Sequence, residues 1–133
     1  MRFTKRLALE NCRDLWGWLA KTGKSSKRLW PEWERNGGTV PTMEADCPCC
    51  AYARARCRRC PLAGRWGRDR SGDRDCTSDN SPYSKWDLVK NKRAKRFIDR
   101  RKFFAAKIRD LAVRELKKLD EKNARKRAMR KKK

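Results

Sequence analysis

Cys47-x-x-Cys50 and Cys57-x-x-Cys60, separated by six residues, are the side chains of this chain whose types and spacing suit a defined chemistry. Each pair forms a short knuckle that lets two thiolates approach one ion from adjacent turns of backbone, and four thiolates satisfy tetrahedral zinc. Pro48 fixes the backbone inside the first knuckle, and Pro61 stops the chain continuing as helix after the second. Cys76 lies further along and can replace one member of the four, notably Cys57, while Cys49 and Cys12 are left over. The metal set is therefore drawn from Cys47, Cys50, Cys57, Cys60 and Cys76, with Zn2+ as the expected cofactor in a structural role. Four thiolates leave no open position for water, so no catalytic zinc is implied.

Other uses of the same sulfurs stay open. Six local thiols suffice for two ions sharing bridging cysteines, and an opening C-x-x-C-x6-C is similar to the start of the fungal binuclear zinc cluster, although Cys60 follows too soon for that pattern. The thiolates could also hold an iron–sulfur cluster, or form disulfides. No apolar run is long enough to cross a bilayer, and Leu7 to Leu19 is too interrupted by charge to be the core of a signal peptide. A reducing compartment is thus expected, where cysteines serve as metal ligands more readily than as disulfides. With no histidine in the chain, Ser-His and Cys-His nucleophiles are excluded, and the protein reads as a non-enzyme.

Arginines fill the gaps around the cysteines. Inward-facing ones would neutralise a thiolate cluster. Outward-facing ones would clamp phosphate or read guanine edges, and Arg54, Arg56, Arg59, Arg65 and Arg68 are the candidates. Charge then rises steeply toward the C-terminus. From Lys90 onward there are 21 Lys and Arg against 5 Asp and Glu, a balance of +16 out of +23 for the whole chain. So one-sided a run points to a polyanion, since each neutralised phosphate relieves self-repulsion and releases counterions. Lys95, Arg96, Arg100, Arg101, Lys107, Arg125, Lys126, Arg127, Arg130 and Lys131 are the expected nucleic-acid contacts of this arm.

Helical elements must position these groups. Thr4 caps a helix that runs to about Lys21 and is stopped by Gly23. A second short helix after Ser26 is kept brief by Pro31 and Gly37-Gly38. Trp16, Trp18, Trp30 and Trp33 form an aromatic lid over the metal module, or else a base-stacking or partner-binding platform. Ser84 with Asp87 reads as a capping box, flanked by the staple pair Tyr83 and Leu88, so that a helix starts at Lys85. Apolar residues from Trp86 to Leu119 recur every three or four positions without Pro or Gly, and predict one helix running past residue 120. Beyond it lies a basic tail.

The expected fold is thus a small α-rich, metal-stabilised domain: N-terminal helices over 1–46, a four-cysteine zinc knuckle module over 47–82, and a long basic helix with its tail over 83–133. Trp30-Pro31, Asp46-Cys47-x-x-Cys50-x-Tyr52-Ala53, Cys57-x-x-Cys60-Pro61-Leu62, Cys76 and Tyr83-x-x-Trp86 resemble small cysteine-rich, uncharacterised proteins of tailed bacteriophages, over roughly residues 12–90. That resemblance implies a phage-encoded protein in the host bacterial cytoplasm, and makes Cys47, Cys50, Cys57, Cys60 and Cys76 the recurrent set. The function expected from the residues is zinc-stabilised binding of nucleic acid, DNA or RNA, through phosphate contacts of the basic arm. The alternative is a protein that inhibits or redirects a host machine, or an accessory subunit of a large nucleoprotein assembly; a membrane partner is not expected.

Overall fold

The computed structural model describes residues 4–24, 26, 27, 30, 31, 49, 52, 60–63, 65, 66 and 81–131. Among them the chain forms three helices and no strand: α1 (Lys5–Thr22), α2 (Pro82–Val89) and α3 (Lys95–Lys131). None of them is long and apolar enough to cross a membrane.

Both ends of α1 follow from side-chain and backbone chemistry. Thr4 is the N-cap, its hydroxyl accepting from the Leu7 amide at 3.1 Å. Gly23 ends the helix in the left-handed region at φ 69°, and its amide donates to the Leu19 carbonyl. That conformation suits glycine. The site is also crowded, for a Cβ there would lie 2.7 Å from Ile98 Cγ2. Between the caps, Ala8, Leu9, Cys12, Leu15, Trp16 and Leu19 bury one face of the helix.

Helix α3 packs antiparallel on that face. Arg101 reaches Gly23 at the C-terminal end of α1, whereas Arg6 near its start pairs with Asp120. Midway, the stem of Arg109 lies over Gly17, its Cδ 3.4 Å from where a Cβ would sit. The face of α3 that this buries is Arg101, Ala105, Ile108, Ala112 and Leu116. Spacings of three and four residues place all five within one stripe. The small Ala105 and Ala112 admit the larger side chains of α1. Trp16 fills the junction of α1 and α2, edge-on to Tyr83 at 5.8 Å and to Trp86 at 5.1 Å between centroids. Trp30, Cys49, Leu62 and Trp66 close the same core, which therefore draws on residues from all along the chain.

Two expectations are corrected here. The predicted single C-terminal helix is two helices. Ser81, not Ser84, caps α2, its hydroxyl accepting from the Ser84 amide at 3.1 Å, with Pro82 in the first turn. Leu88 is 74% exposed, so no staple forms against the core. The helical path then breaks over 90–94.

The second correction concerns metal. No group of three or more His, Cys, Asp or Glu is placed to hold an ion among the described residues, so the zinc-stabilised fold and its zinc cofactor give way to an all-α domain organised by helix packing. Three cysteines are among the described residues. Cys12 lies on the buried face of α1. The Cys49 thiol sits in the apolar core and points its donor at the Ala8 carbonyl, 3.9 Å away. Cys60 Sγ accepts from the Leu62 amide at 3.4 Å. Cys47, Cys50, Cys57 and Cys76 lie outside the described residues.

Candidate functional site

The solvent side of α3 is where the charge gathers. At 100° per residue, Arg96, Arg100, Lys107, Arg114, Lys118 and Arg125 fall within about 60° of arc, and they span about 44 Å of helix. All six are exposed. Arg96, Arg100, Lys107, Arg114 and Arg125 have no acidic partner among the described residues. Three of the acids on α3 are paired, Asp110 with Arg109, Asp120 with Arg6, and Glu115 with Arg65 and with Lys118 of the stripe itself. The exposed Glu121 interrupts the stripe between Lys118 and Arg125, and exposed Asp99 lies beside Arg100.

Aromatic rings punctuate the stripe and hold its cations in place. The Arg96 guanidinium stands 4.7 Å and that of Arg100 5.8 Å from the Phe97 centroid, with Lys92 Nζ at 4.9 Å from the same ring. Lys107 Nζ lies 4.9 Å from the centroid of Phe103. Such contacts restrain long side chains without neutralising them, so the charge stays available to a ligand.

Beside the middle of the stripe an open groove of about 500 Å3 lies between α2 and α3. Phe103 and Phe104 form one wall, and Trp66 closes the back. Around the rim stand Lys85 from α2, Arg65, and Lys107 and Arg114 from α3. Arg65 is held by its ion pair to Glu115, Nε to Oε1 at 2.6 Å. Burial alone would raise the Glu115 pKa, but hydrogen bonds and charge from Arg65 and Lys118 outweigh it and hold the carboxyl below its ordinary value.

A carboxyl depressed on folding adds stability above its unfolded pKa and loses it as pH falls through the folded one. Glu115→Gln should therefore flatten the acid limb of the stability curve, by no more than about 1 kcal/mol because Arg65 is half exposed. Urea midpoints of the wild type and variant at pH 7 and pH 3 measure this. Equal losses on acidification in the two proteins would remove Glu115 from the acid response.

The sequence-predicted residues divide by this geometry. Arg96, Arg100, Lys107 and Arg125 share the stripe, and Arg65 stands at the groove. Lys95 and Lys131 lie roughly 120° round from it, and Lys126, Arg127 and Arg130 radiate from the last turns in other directions. Arg101 turns inward: it is 6% exposed, and donates Nε to the Gly23 carbonyl at 2.9 Å and Nη1 to those of Val89 and Lys92 at 3.0 and 2.6 Å. Arg54, Arg56, Arg59 and Arg68 lie outside the described residues. Sequence reasoning missed Arg114, Lys118 and Lys85. The first two could have been found by continuing the i, i+4, i+7 spacing from Arg96; Lys85 comes from another helix.

No family model, curated protein or solved structure matches the chain. Nothing in those comparisons ties it to the tailed-phage proteins that its cysteine pattern resembles. The zinc-stabilised phage nucleic-acid binder expected from the sequence is thus corrected on its organising element: α3 is positioned by α1 and α2, with no metal group among the described residues.

Proposed function

We propose that this chain is a binding protein for an extended, phosphate-bearing polyanion, with nucleic acid as the partner class and the α3 stripe as the contact surface. The observation that carries the reading is the alignment of six exposed cations along one side of a helix anchored by α1. Successive cations of the stripe stand four or seven residues apart, about 6 or 10 Å along the axis, so that they meet an extended row of phosphates rather than a single anion. Phosphate contacts fix position without reading sequence. The reading therefore carries weak sequence preference and a steep dependence on salt.

The test compares two charge-matched variants by fluorescence anisotropy with labelled DNA and RNA, single-stranded and duplex, from 50 to 300 mM salt. Arg96→Gln/Arg100→Gln/Arg125→Gln removes three cations from the stripe. Lys95→Gln/Lys117→Gln/Lys131→Gln removes three from exposed positions about 100° round the same helix. The stripe variant should lower the slope of log K against log salt by about 2 to 3, and the control by less than about 1. Equal losses would reduce the stripe to bulk charge. Absence of binding to every polymer at 50 mM salt would overturn the reading.

A further inference from the structure

We infer that the groove between α2 and α3 is a subsite for one unpaired nucleotide, with the base against the Phe103–Phe104 wall and its phosphate held by Lys85, Lys107 and Arg114. This rests on the polyanion reading and deepens it from charge to a chemical class of ligand.

Four observations converge on the groove. Its volume of about 500 Å3 falls in the range of small-molecule sites. Phe103 is 57% exposed although it lies in the half of α3 that packs on the core. Its ring meets Phe104 edge-on, 5.5 Å between centroids, which fixes its plane. Lys85 and Arg114 have no acidic partner among the described residues, and the one acid lining the groove, Asp110, is engaged by Arg109.

A bare phosphate would use the cations and leave the rings wet. An apolar ligand would use the rings and strand the cations. A nucleotide uses both, because every base offers a π face and carries a phosphate within one sugar of it. In a duplex both faces of a base are covered by its neighbours, so only an unpaired base can enter. Phe103, Lys107 and Arg114 belong to the groove and to the stripe alike, so a single strand laid along α3 would meet Arg100 before the groove and Lys118 after it.

The experiment uses the full chain and three labelled probes of equal length at one salt concentration: a mixed-sequence single-stranded DNA, its abasic counterpart, and the corresponding duplex. The single strand should bind about tenfold more tightly than the abasic strand, within the roughly 5- to 150-fold range of a base–aromatic stack, and more tightly than the duplex. Phe103→Ala should erase that difference while leaving the salt slope unchanged. Phe103→Trp should keep it. Leu88→Ala, an exposed apolar residue outside the groove, should have no effect.

Because Phe103 is exposed, the variants should retain the wild-type urea midpoint, and that is measured alongside. Equal affinity for the abasic and base-bearing strands, or undiminished discrimination by Phe103→Ala, would overturn the nucleotide subsite while leaving salt-dependent binding in place. Loss of all three probes at low salt would remove the polyanion reading, and the subsite with it.

Discussion

Arg101→Ala should destabilise the protein by about 3 kcal/mol, although a sequence scan would class the residue as one more surface cation. Its guanidinium joins three carbonyls: Gly23 at the end of α1, Val89 at the end of α2, which also accepts from the Lys92 amide at 3.2 Å, and Lys92 in the connection to α3. Helix ends expose carbonyls that need donors; Arg101→Ala would strip the arginine donor from Gly23 and Lys92 while Val89 keeps the Lys92 amide, and a buried carbonyl left unpaired costs about 1–3 kcal/mol. Truncation also removes the aliphatic stem from the buried stripe of α3. Arg101→Lys should recover less than half of the loss, because an ammonium is a point donor and cannot span three acceptors held at different angles.

Urea unfolding of the wild type and both variants measures the effect. A loss below about 0.5 kcal/mol for Arg101→Ala, the usual range for a surface substitution, would show that the three bonds do not hold the helix ends. The variant also bears on the groove. Arg101 fixes the break between α2 and α3, and with it the position of Lys85 relative to Phe103 and Arg114. Base discrimination should fall in Arg101→Ala even under conditions where the protein stays folded, whereas the stripe cations remain in place and the salt slope should persist.

The same residue marks the limit of what could be read from the sequence. Local signals were legible where one residue does one job: Thr4 and Gly23 bound α1 as expected, since a hydroxyl cap and a left-handed stop act within a turn of themselves. Ser81 was missed because Ser84 offers the same chemistry three residues later, and the choice between them depends on which serine the core buries. The break at 90–94 has no proline or glycine to announce it. It is held by Arg101, from another turn of another helix, so no window of local sequence contains both halves of its cause.

The candidate site was half legible for a related reason. Net charge identified α3 as the element to examine, but charge is a property of composition and the stripe is a property of phase. Arg101 and Arg114 are the same residue type on the same helix, and differ because one faces α1 and the other faces water. The cysteines misled in a different way. Spacing alone cannot distinguish a thiol that binds metal from one that packs, and Cys49, incidental to the knuckle spacing, is fully buried in the core.

Trp16→Ala should be more damaging still, at about 3–5 kcal/mol, which is a large share of the stability of an ordinary domain. The side chain is fully buried and meets Tyr83 and Trp86 edge-on, so its removal opens a cavity where α1 and α2 converge. Trp16→Phe separates the two contributions within that number. It keeps an aromatic edge toward both partners and loses volume, but it also deletes an indole N–H that is buried with no hydrogen-bond partner among the described residues. An unsatisfied buried donor costs about 1–3 kcal/mol, so its removal offsets part of the lost packing. Trp16→Phe should therefore cost less than about 2 kcal/mol, and calorimetry alongside urea unfolding can resolve the pair. If Trp16→Phe proves as damaging as Trp16→Ala, the indole N–H must be satisfied, and shape rather than aromatic contact must hold α2 against α1.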